Sequence, residues 1–557
     1  MHFIFRPRFF DLIKSYNKEK FFADLMSGVI VGVVALPLAI AFGIGSGVSP
    51  KEGLITAIIA GFIISFLGGS NVQIGGPTGA FMIVVANTIR EHGPDGLLLA
   101  TLLAGIMLVL MGAFRLGTVI KFIPFPVIIG FTSGIAVTIF SEQIKNFFGL
   151  QIAETPSEFI GKWTVYFENF DTTNLWALGV GLLSILLIIF SGKIIKKIPG
   201  SLIAIIVMTV GVFLLREYGG VTSVKTIGDL FTIDASLPAF RGFSLDFETI
   251  TRLLPSAFTI ALLGAIESLL SATVADGVTG SRHHSNTELI AQGAANIVVP
   301  FFGGIPATGA IARTMTNINN GGRTPVAGMI HAVVLLLILL FLSPLTKFIP
   351  MACLAGVLVI VAYNMSEWRT FKSLLKSPKS DVAVLLTTFL LTVLFDLTIA
   401  IEIGLLLAIL LLLKRLSETS TISIFKDDVP VMDREEGQES NEQLKLPAGV
   451  EVYEIEGPFF FGIASKFDEV MQTLGDKSKV RIIRMRKVPF IDSSGIHNLE
   501  VLLRKAVEED IQMVLSGVNP AVKATLDKAG ITAKLGKQNV CSNINLAVAR
   551  AQQIVEN

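Results

Sequence analysis

Long apolar runs follow one another from about residue 21 to about residue 416, and beyond that the chain alternates polar and apolar positions as a water-soluble domain does. The runs lie near 24–45, 51–68, 78–90, 97–114, 120–140, 173–191, 199–215, 252–275, 287–302, 308–319, 325–343, 348–363, 381–395 and 397–414. A helix needs about 20 residues to cross about 30 Å of hydrocarbon. The pattern therefore predicts an α-helical polytopic membrane domain of about fourteen spans over residues 21–416, behind a basic N-terminal segment 1–20. Two runs fall short. At about 1.5 Å per residue, 78–90 and 308–319 reach roughly 20 Å or less, and they read as half-helices. Residues 417–446, with Asp427, Asp428, Asp433, Glu435 and Glu436, read as a polar linker. Strand-like runs at 451–455, 480–485 and 512–515 and a helix-like run at 494–508 then predict a small α/β domain over 447–557.

The membrane half occurs twice. Gly47-Val48-Ser49 matches Gly277-Val278-Thr279, and Phe66-Leu67-Gly68-Gly69 resembles Phe301-Phe302-Gly303-Gly304. Thr78-Gly79-Ala80 matches Thr308-Gly309-Ala310, and Lys121-Phe122-Ile123-Pro124 matches Lys347-Phe348-Ile349-Pro350. The repeats run over about 21–215 and 250–416. Seven spans per copy is odd, so the copies are inverted. A short, Gly/Pro-interrupted segment at the same place in each inverted half points to a transporter's binding site.

Charge orients the chain. With the N-terminus inside, Arg115 to Lys121, Lys193, Lys196, Lys197, Arg282, Arg323 and the group Arg369, Lys372, Lys376 and Lys379 fall on the cytoplasmic side. The loop 141–172, with Glu142, Glu154, Glu158, Glu168 and Asp171, falls outside, which is the positive-inside pattern. Both termini are then cytoplasmic, in a plasma (inner) membrane. Only 16% of residues are charged, against about 25% in soluble chains, and the net charge of +1 points to no nucleic acid. Cys353 and Cys541 lie in different regions, and His283 and His284 fall in a loop, so no metal or other cofactor is expected.

The chemistry concentrates at the half-helices. The first amides of a helix lack internal partners, and the macrodipole leaves roughly +0.5 charge there, so a helix N-terminus at mid-membrane is an anion site. Inverted repeats aim two such ends, at Pro77-Thr78-Gly79-Ala80 and Pro306-Ala307-Thr308-Gly309-Ala310, at one place. Gly76, Gly79 and Gly309 let a ligand approach backbone, and Thr78 and Thr308 either cap the helices or offer hydroxyls. The bland alternative is that Gly and Thr only allow close helix packing. Arg313, one turn into the second half-helix, adds positive potential, or else it forms a structural ion pair with Glu267. Glu267, a lone carboxylate inside span 252–275, is a candidate proton carrier, and Ser271 shares its face at i+4. Asp492-Ser493-Ser494-Gly495 lies between a strand and a helix, where it suits N-capping.

Gly75-Gly76-Pro77-Thr78-Gly79, the run from Gly264 to Leu270, Gly303 to Arg313, Asn364-Met365-Ser366-Glu367 and Asp492-Ser493-Ser494-Gly495 together resemble the sulfate permease (SulP) family of anion transporters, which carry a C-terminal STAS domain. The resemblance covers nearly the whole chain and is nearest to the bacterial branch of dicarboxylic-acid uptake proteins. It implies a seven-plus-seven inverted repeat in which spans 1–4 and 8–11 form a core that moves against a gate in an elevator-like cycle. It places substrate between the starts of spans 3 and 10, beside an aromatic of span 1. Here those positions are Phe42, Thr78, Gly79, Ala80, Gly309, Ala310 and Ile311, with Arg313 behind them. It further implies a homodimer, and it matches Ser494 to the regulatory phosphosite of anti-sigma-factor antagonists. Sodium-coupled bicarbonate members carry Asp, Thr and Thr where this chain has Glu267, Ser271 and Ile311, and they lack an arginine at 313, which favours a proton as coupling ion. Sulfate-carrying members have Gln where Leu38 follows Pro37. The expected protein is not an enzyme. It is a secondary active transporter of a small anion, either a C4-dicarboxylate or an inorganic oxyanion such as sulfate or bicarbonate. Two rivals are an anion channel or prestin-like motor, and a nucleobase permease of the same architecture, which presents a carboxylate where this chain has Arg313.

Overall fold

Local signals start and stop the membrane helices. Helix α1 (Lys18–Gly45) begins where the Asn17 side chain accepts a hydrogen bond from the Lys20 amide. Helix α2 (Pro50–Leu67) begins with Pro50 in its first turn and with the Ser49 amide donating to Glu52 Oε2. Helix α3 (Gly79–Ala113) is broken at Gly93, whose φ of 72° is left-handed and which precedes Pro94. Its first part therefore covers 79–92, a half-helix as the pattern predicts. Helix α4 (Phe125–Phe148) follows Pro124 and ends on Gly149, a left-handed C-cap at φ 63°. An amphipathic helix α5 (Phe159–Glu168) lies between α4 and α6 (Leu175–Ile194), and α7 (Gly200–Gly219) closes the first half.

The chain continues with α8 (Phe247–Thr279), α9 (Ser285–Val298), a short α10 (Ile311–Asn319), α11 (Pro325–Thr346), α12 (Met351–Met365), α13 (Lys379–Leu394) and α14 (Leu397–Thr419). Helix α10 starts two to three residues later than expected. Thr308 and Gly309 are not its first turn; they form a two-residue strand. The computed structural model describes residues 5–12, 16–118, 123–153, 155–156, 158–194, 200–231, 239–240, 242, 247–395, 397–430, 443–462 and 478–556. Lys121, Phe122, Glu154, Lys196, Lys197, Asp433, Glu435 and Glu436 lie outside these residues. Eight helices among those described are long and apolar enough to cross a membrane.

The helices sort into two groups. Helices α1, α2 and α3 pack against α8, α9, α10 and α11, while α4, α6, α7, α12 and α13 pack mainly among themselves. Small residues set the spacing in the first group. A Cβ on Gly105 of α3 would lie 2.8 Å from the Gly293 carbonyl oxygen of α9, and one on Gly293 would lie 2.6 Å from the Gly105 oxygen. Backbones in such contact gain dispersion where lipid offers no hydrophobic drive.

The chain divides into two compact units, Met1–Leu406 and Leu407–Asn557. The second is built on a five-stranded sheet ordered β3 (Thr421–Phe425), β4 (Val450–Glu456), β5 (Val480–Lys487), β6 (Gln512–Ser516) and β7 (Val540–Cys541). The β3–β4 pair is antiparallel and the remaining pairs are parallel. Residues 421–425, assigned to the linker from sequence, are thus an edge strand, because their backbone completes the β4 ladder. Helices α15 (Ser493–Glu508), α16 (Pro520–Lys528) and α17 (Ile544–Glu556) cover the sheet. Asp492 caps α15. Its Oδ1 accepts from the Gly495 amide at 2.8 Å and its Oδ2 from the Phe461 amide at 3.1 Å. Losing both bonds in Asp492→Ala is expected to cost about 1–2 kcal/mol locally. Hydrogen exchange in the first turn of α15 should then rise roughly 5–30-fold; unchanged exchange would show that the cap is idle.

Candidate substrate site

Two stretches of non-helical backbone inside the first unit build the candidate site: residues 68–78 before α3, and 303–310 before α10. Irregular backbone at membrane depth is tolerated only where protein satisfies its polar groups. Here each stretch is held by the other half. Strands β1 (Gly75–Gly76) and β2 (Thr308–Gly309) pair antiparallel, Gly75 opposite Gly309 and Gly76 opposite Thr308. The Ala310 amide donates to the Ile74 carbonyl at 2.9 Å, and the Ile74 amide donates to Thr314 Oγ1 of α10 at 3.1 Å. Asn317 Nδ2 donates to the Val72 carbonyl at 2.8 Å, and the Ile305 amide donates to Thr56 Oγ1 of α2 at 2.8 Å. Asn296 of α9 takes both polar groups of Ala307, at 2.8 and 2.9 Å.

A buried carboxylate anchors this crossing. Glu288 of α9, 0% exposed, accepts from the amides of Gly69 and Ser70 at 2.8 and 3.1 Å, from Gln73 Nε2 at 3.0 Å and from Gln292 Nε2 at 2.8 Å. Sequence reasoning passed over Glu288 and Gln73. Glu288 is the second residue of its run, directly after the polar stretch 281–287, whereas Glu267 stood out by lying deep within an apolar run.

Thr78 is the N-cap of α3, at φ −125° and ψ 161°. Its Oγ1 donates to Glu267 Oε2 of α8 at 2.8 Å. Both residues are partly exposed, so the pair faces open space rather than sealed core. Gly79, next along, touches three side chains. A Cβ there would lie 3.0 Å from Met365 Sδ, 3.3 Å from Ile139 Cδ1 and 3.4 Å from Phe42 Cε1. Phe42 belongs to the first helix group; Ile139 and Met365 belong to α4 and α12 of the second. Gly79 therefore lies where the groups meet, and Ile139 and Met365 join the residues named from sequence. At the second half-helix, Ala310 is the N-cap and Ile311, 38% exposed, is the first residue. Its first intrahelical bond runs from the Thr314 amide to the Ala310 carbonyl, which leaves the amides of Ile311, Ala312 and Arg313 without helical partners.

Not every expected residue lines this space. Ala80 and Gly309 are fully buried and contribute backbone alone. Thr308 turns away, donating to the Gly264 carbonyl at 2.9 Å. Ser271 faces Thr314 Oγ1 at 3.4 Å rather than Glu267. Arg313 is 1% exposed, and among the described residues no ion pair joins it to Glu267. Instead its Nη2 donates to the Pro77 carbonyl at 2.9 Å, and its Nη1 has no partner among the described residues. A Cβ on Gly76 would lie 2.1 Å from that Nη1, so the glycine makes room for the guanidinium behind the start of α3.

A cleft of about 610 Å³ runs beside α8 from Ile266 and Leu270 to Asp276, with Ile128 of α4 in its wall and His283 at the C-terminal end of α8. It reaches the residue next to Glu267. His283 Nδ1 lies 2.6 Å from Asp276 Oδ2 and its Nε2 lies 3.0 Å from Ser285 Oγ. Burial, followed by the cations Arg8 and Arg6, holds His284 below the usual histidine pKa. Among the described residues no cluster of His, Cys, Asp and Glu has a metal site's arrangement.

The first unit matches the sulfate permease family over residues 21–388, and residues 443–549 match the STAS domain. The chain belongs to the sulfate permease family. A Bacillus subtilis member provisionally named sulfate transporter YvdB is 42% identical over 96% of this chain and 98% of its own length. The bicarbonate transporter BicA of Picosynechococcus is 30% identical over 91% of this chain and 90% of its own length. Among solved structures, the transmembrane domain of a cyanobacterial BicA aligns at a TM-score of 0.62 with 29% identity, over 71% of this chain and 98% of that one. The murine solute carrier 26 member A9 anion transporter, in its inward-facing state, aligns at 0.87 with 20% identity, over 98% of this chain and 93% of that one. The last likeness shows the fold: a helical polytopic membrane domain followed by a STAS domain. Family membership makes this permease an anion transporter and not an enzyme, and it removes the nucleobase permease from consideration.

Proposed function

We propose that this family member is a proton-coupled secondary carrier of a small anion, either a C4-dicarboxylate, as in the uptake branch it resembles, or an inorganic oxyanion such as sulfate or bicarbonate. Phe42, Thr78, Gly79 and the first amides of α10 contact the anion, and Arg313 supplies positive potential from behind. Ala80, Gly309, Ala310 and Ile311 shape the backbone of the same place.

The observation that carries the coupling is the Thr78–Glu267 hydrogen bond of 2.8 Å. With Glu267 ionised, the Thr78 hydroxyl hydrogen points at the carboxylate and a negative charge stands beside the anion's place. When Glu267 takes up a proton it becomes a donor to Thr78 Oγ1. The Thr78 hydrogen is then free to turn toward an anion, and the repulsion is gone. Proton and anion thus favour each other's binding, which by linkage is a symport relation.

The fourteen spans are read as seven plus seven, α3 counting twice at its Gly93 break and α5 lying outside the count. The first helix group serves as the moving core and the second as the gate of an elevator cycle. Both termini are cytoplasmic, and the cleft at the α8 C-terminal end then opens inward. The STAS unit serves dimerisation and control, with Ser494, in the first turn of α15, as its phosphosite; a phosphate there is favoured by the helix dipole.

In liposomes, Glu267→Gln is expected to keep downhill anion exchange but to lose acceleration by an inward pH gradient. Gradient-driven uptake at the wild-type rate would sink the proposal.

A further inference from the structure

At the opposite end of α4 from the cleft lies a smaller cavity, about 140 Å³, that the site above does not use. Its walls are Gly45 of α1, Lys145 and Asn146 in the last turn of α4, Tyr166 of α5, and Met351 and Leu354 at the start of α12. Both helix groups contribute, so it lies on their boundary. At about 30 Å³ per water, it has room for one small anion with part of its hydration shell.

Its polar groups are mismatched unless something negative is present. Lys145 is half-buried and has no carboxylate partner among the described residues, and the exposed Lys225 is near enough to repel its charge. The one acid in the wall, Glu142, is in contact with the buried ammonium of Lys162, which offsets the negative charge it presents to Tyr166. Tyr166 is 2% exposed and its hydroxyl has no hydrogen-bond partner among the described residues, although a buried polar group without one costs about 1–3 kcal/mol. A lysine in the last turn of a helix suits the dipole there. That does not account for a second cation nearby or for a buried phenol in the same wall.

We propose that this cavity is a second anion site, in which Lys145 supplies the charge, with Lys225 adding to the field, and the Tyr166 hydroxyl donates a hydrogen bond to a small inorganic oxyanion, halide or carboxylate. On the orientation proposed above it faces outward. It stages the anion at the seam of core and gate before the crossing to Thr78; only this assignment of side and role rests on the carrier reading.

Trp163 reports on the cavity, since its ring centroid lies 6.0 Å from that of Tyr166. In the full chain carrying Trp176→Phe and Trp368→Phe, Trp163 is the remaining tryptophan. Iodide in a gluconate buffer of constant ionic strength is the probe. Saturable quenching is expected, displaced by sulfate, at least tenfold weaker in Lys145→Gln and weaker in Tyr166→Phe, but kept in Arg313→Met. Linear quenching of equal slope in the parent, Lys145→Gln and Tyr166→Phe overturns the site, and so does loss of saturation in Arg313→Met alone. Because this is a binding measurement on purified protein, it stands whether or not liposomes show uptake. For the staging role, Lys145→Gln should raise the KM of uptake several-fold at unchanged kcat; a saturable site with unchanged KM overturns that role.

Discussion

Gly309→Ala is expected to abolish uptake and to lower the unfolding midpoint of the purified protein. A Cβ at 309 would lie 1.8 Å from Gln73 Nε2 and 2.5 Å from Gln73 Cδ. Gln73 is not a flexible surface side chain that can swing aside. It is 3% exposed, and the same Nε2 donates to the buried carboxylate of Glu288. The added methyl must therefore displace β2 from β1 or break the Gln73–Glu288 bond. Overpacking and a weakened buried carboxylate together cost about 2–4 kcal/mol. The pair provides an internal control. Gln73→Ala removes both the clash and the bond, so the double variant should lose less stability than the sum of the single ones. Additive losses would show that the strain lies elsewhere.

Arg313→Met separates affinity from stability. A unit charge about 8 Å from an anion, across an effective dielectric of about 20, contributes about 2 kcal/mol, or about 30-fold in Kd. Anion affinity by calorimetry should fall by that order. Stability should not fall with it. Among the described residues the fully buried guanidinium has one hydrogen bond, to Pro77, and no partner for Nη1, and replacing a buried charge by an apolar side chain of similar volume is often neutral or stabilising. Unchanged affinity would rule out an electrostatic role. A large drop in the unfolding midpoint would make Arg313 a structural residue that holds the start of α3.

The sequence disclosed the plan of the membrane unit because its signals are local. Apolar length marks the spans, and Gly93-Pro94 marks the end of the first half-helix. The repeated Thr-Gly-Ala marked two places that the structure brings together, but it suggested the same conformation twice. At Thr78 the motif caps a helix, whereas at Thr308 it is strand. What decides between them is pairing with Gly75 and Gly76, more than two hundred residues away, and no local propensity carries that information. The bond between Thr78 and Glu267 was hidden for the same reason: each residue was suspected alone, but their contact spans 189 positions. Arg313 stood out in the sequence as a buried cation, with two readings open: a source of positive potential, or an ion pair with Glu267. From composition the natural mate is the carboxylate of Glu267, while the structure offers the Pro77 carbonyl. Glu288 was overlooked because it sits at the polar edge of its run. Its role is to bind backbone amides, and nothing in a sequence marks which backbone will lack other partners.

The crossing of β1 and β2 also sets a timetable for synthesis. The backbone of residues 69–76 takes its partners from Glu288, Thr308, Gly309, Thr314 and Asn317, all of which leave the ribosome more than two hundred residues later. At about 5–20 residues per second, the first half waits roughly 10–50 s with those groups unmet. During that interval it must be sheltered by the insertion machinery or by water, and a chain that stops before residue 308 has no way to complete the fold it has begun.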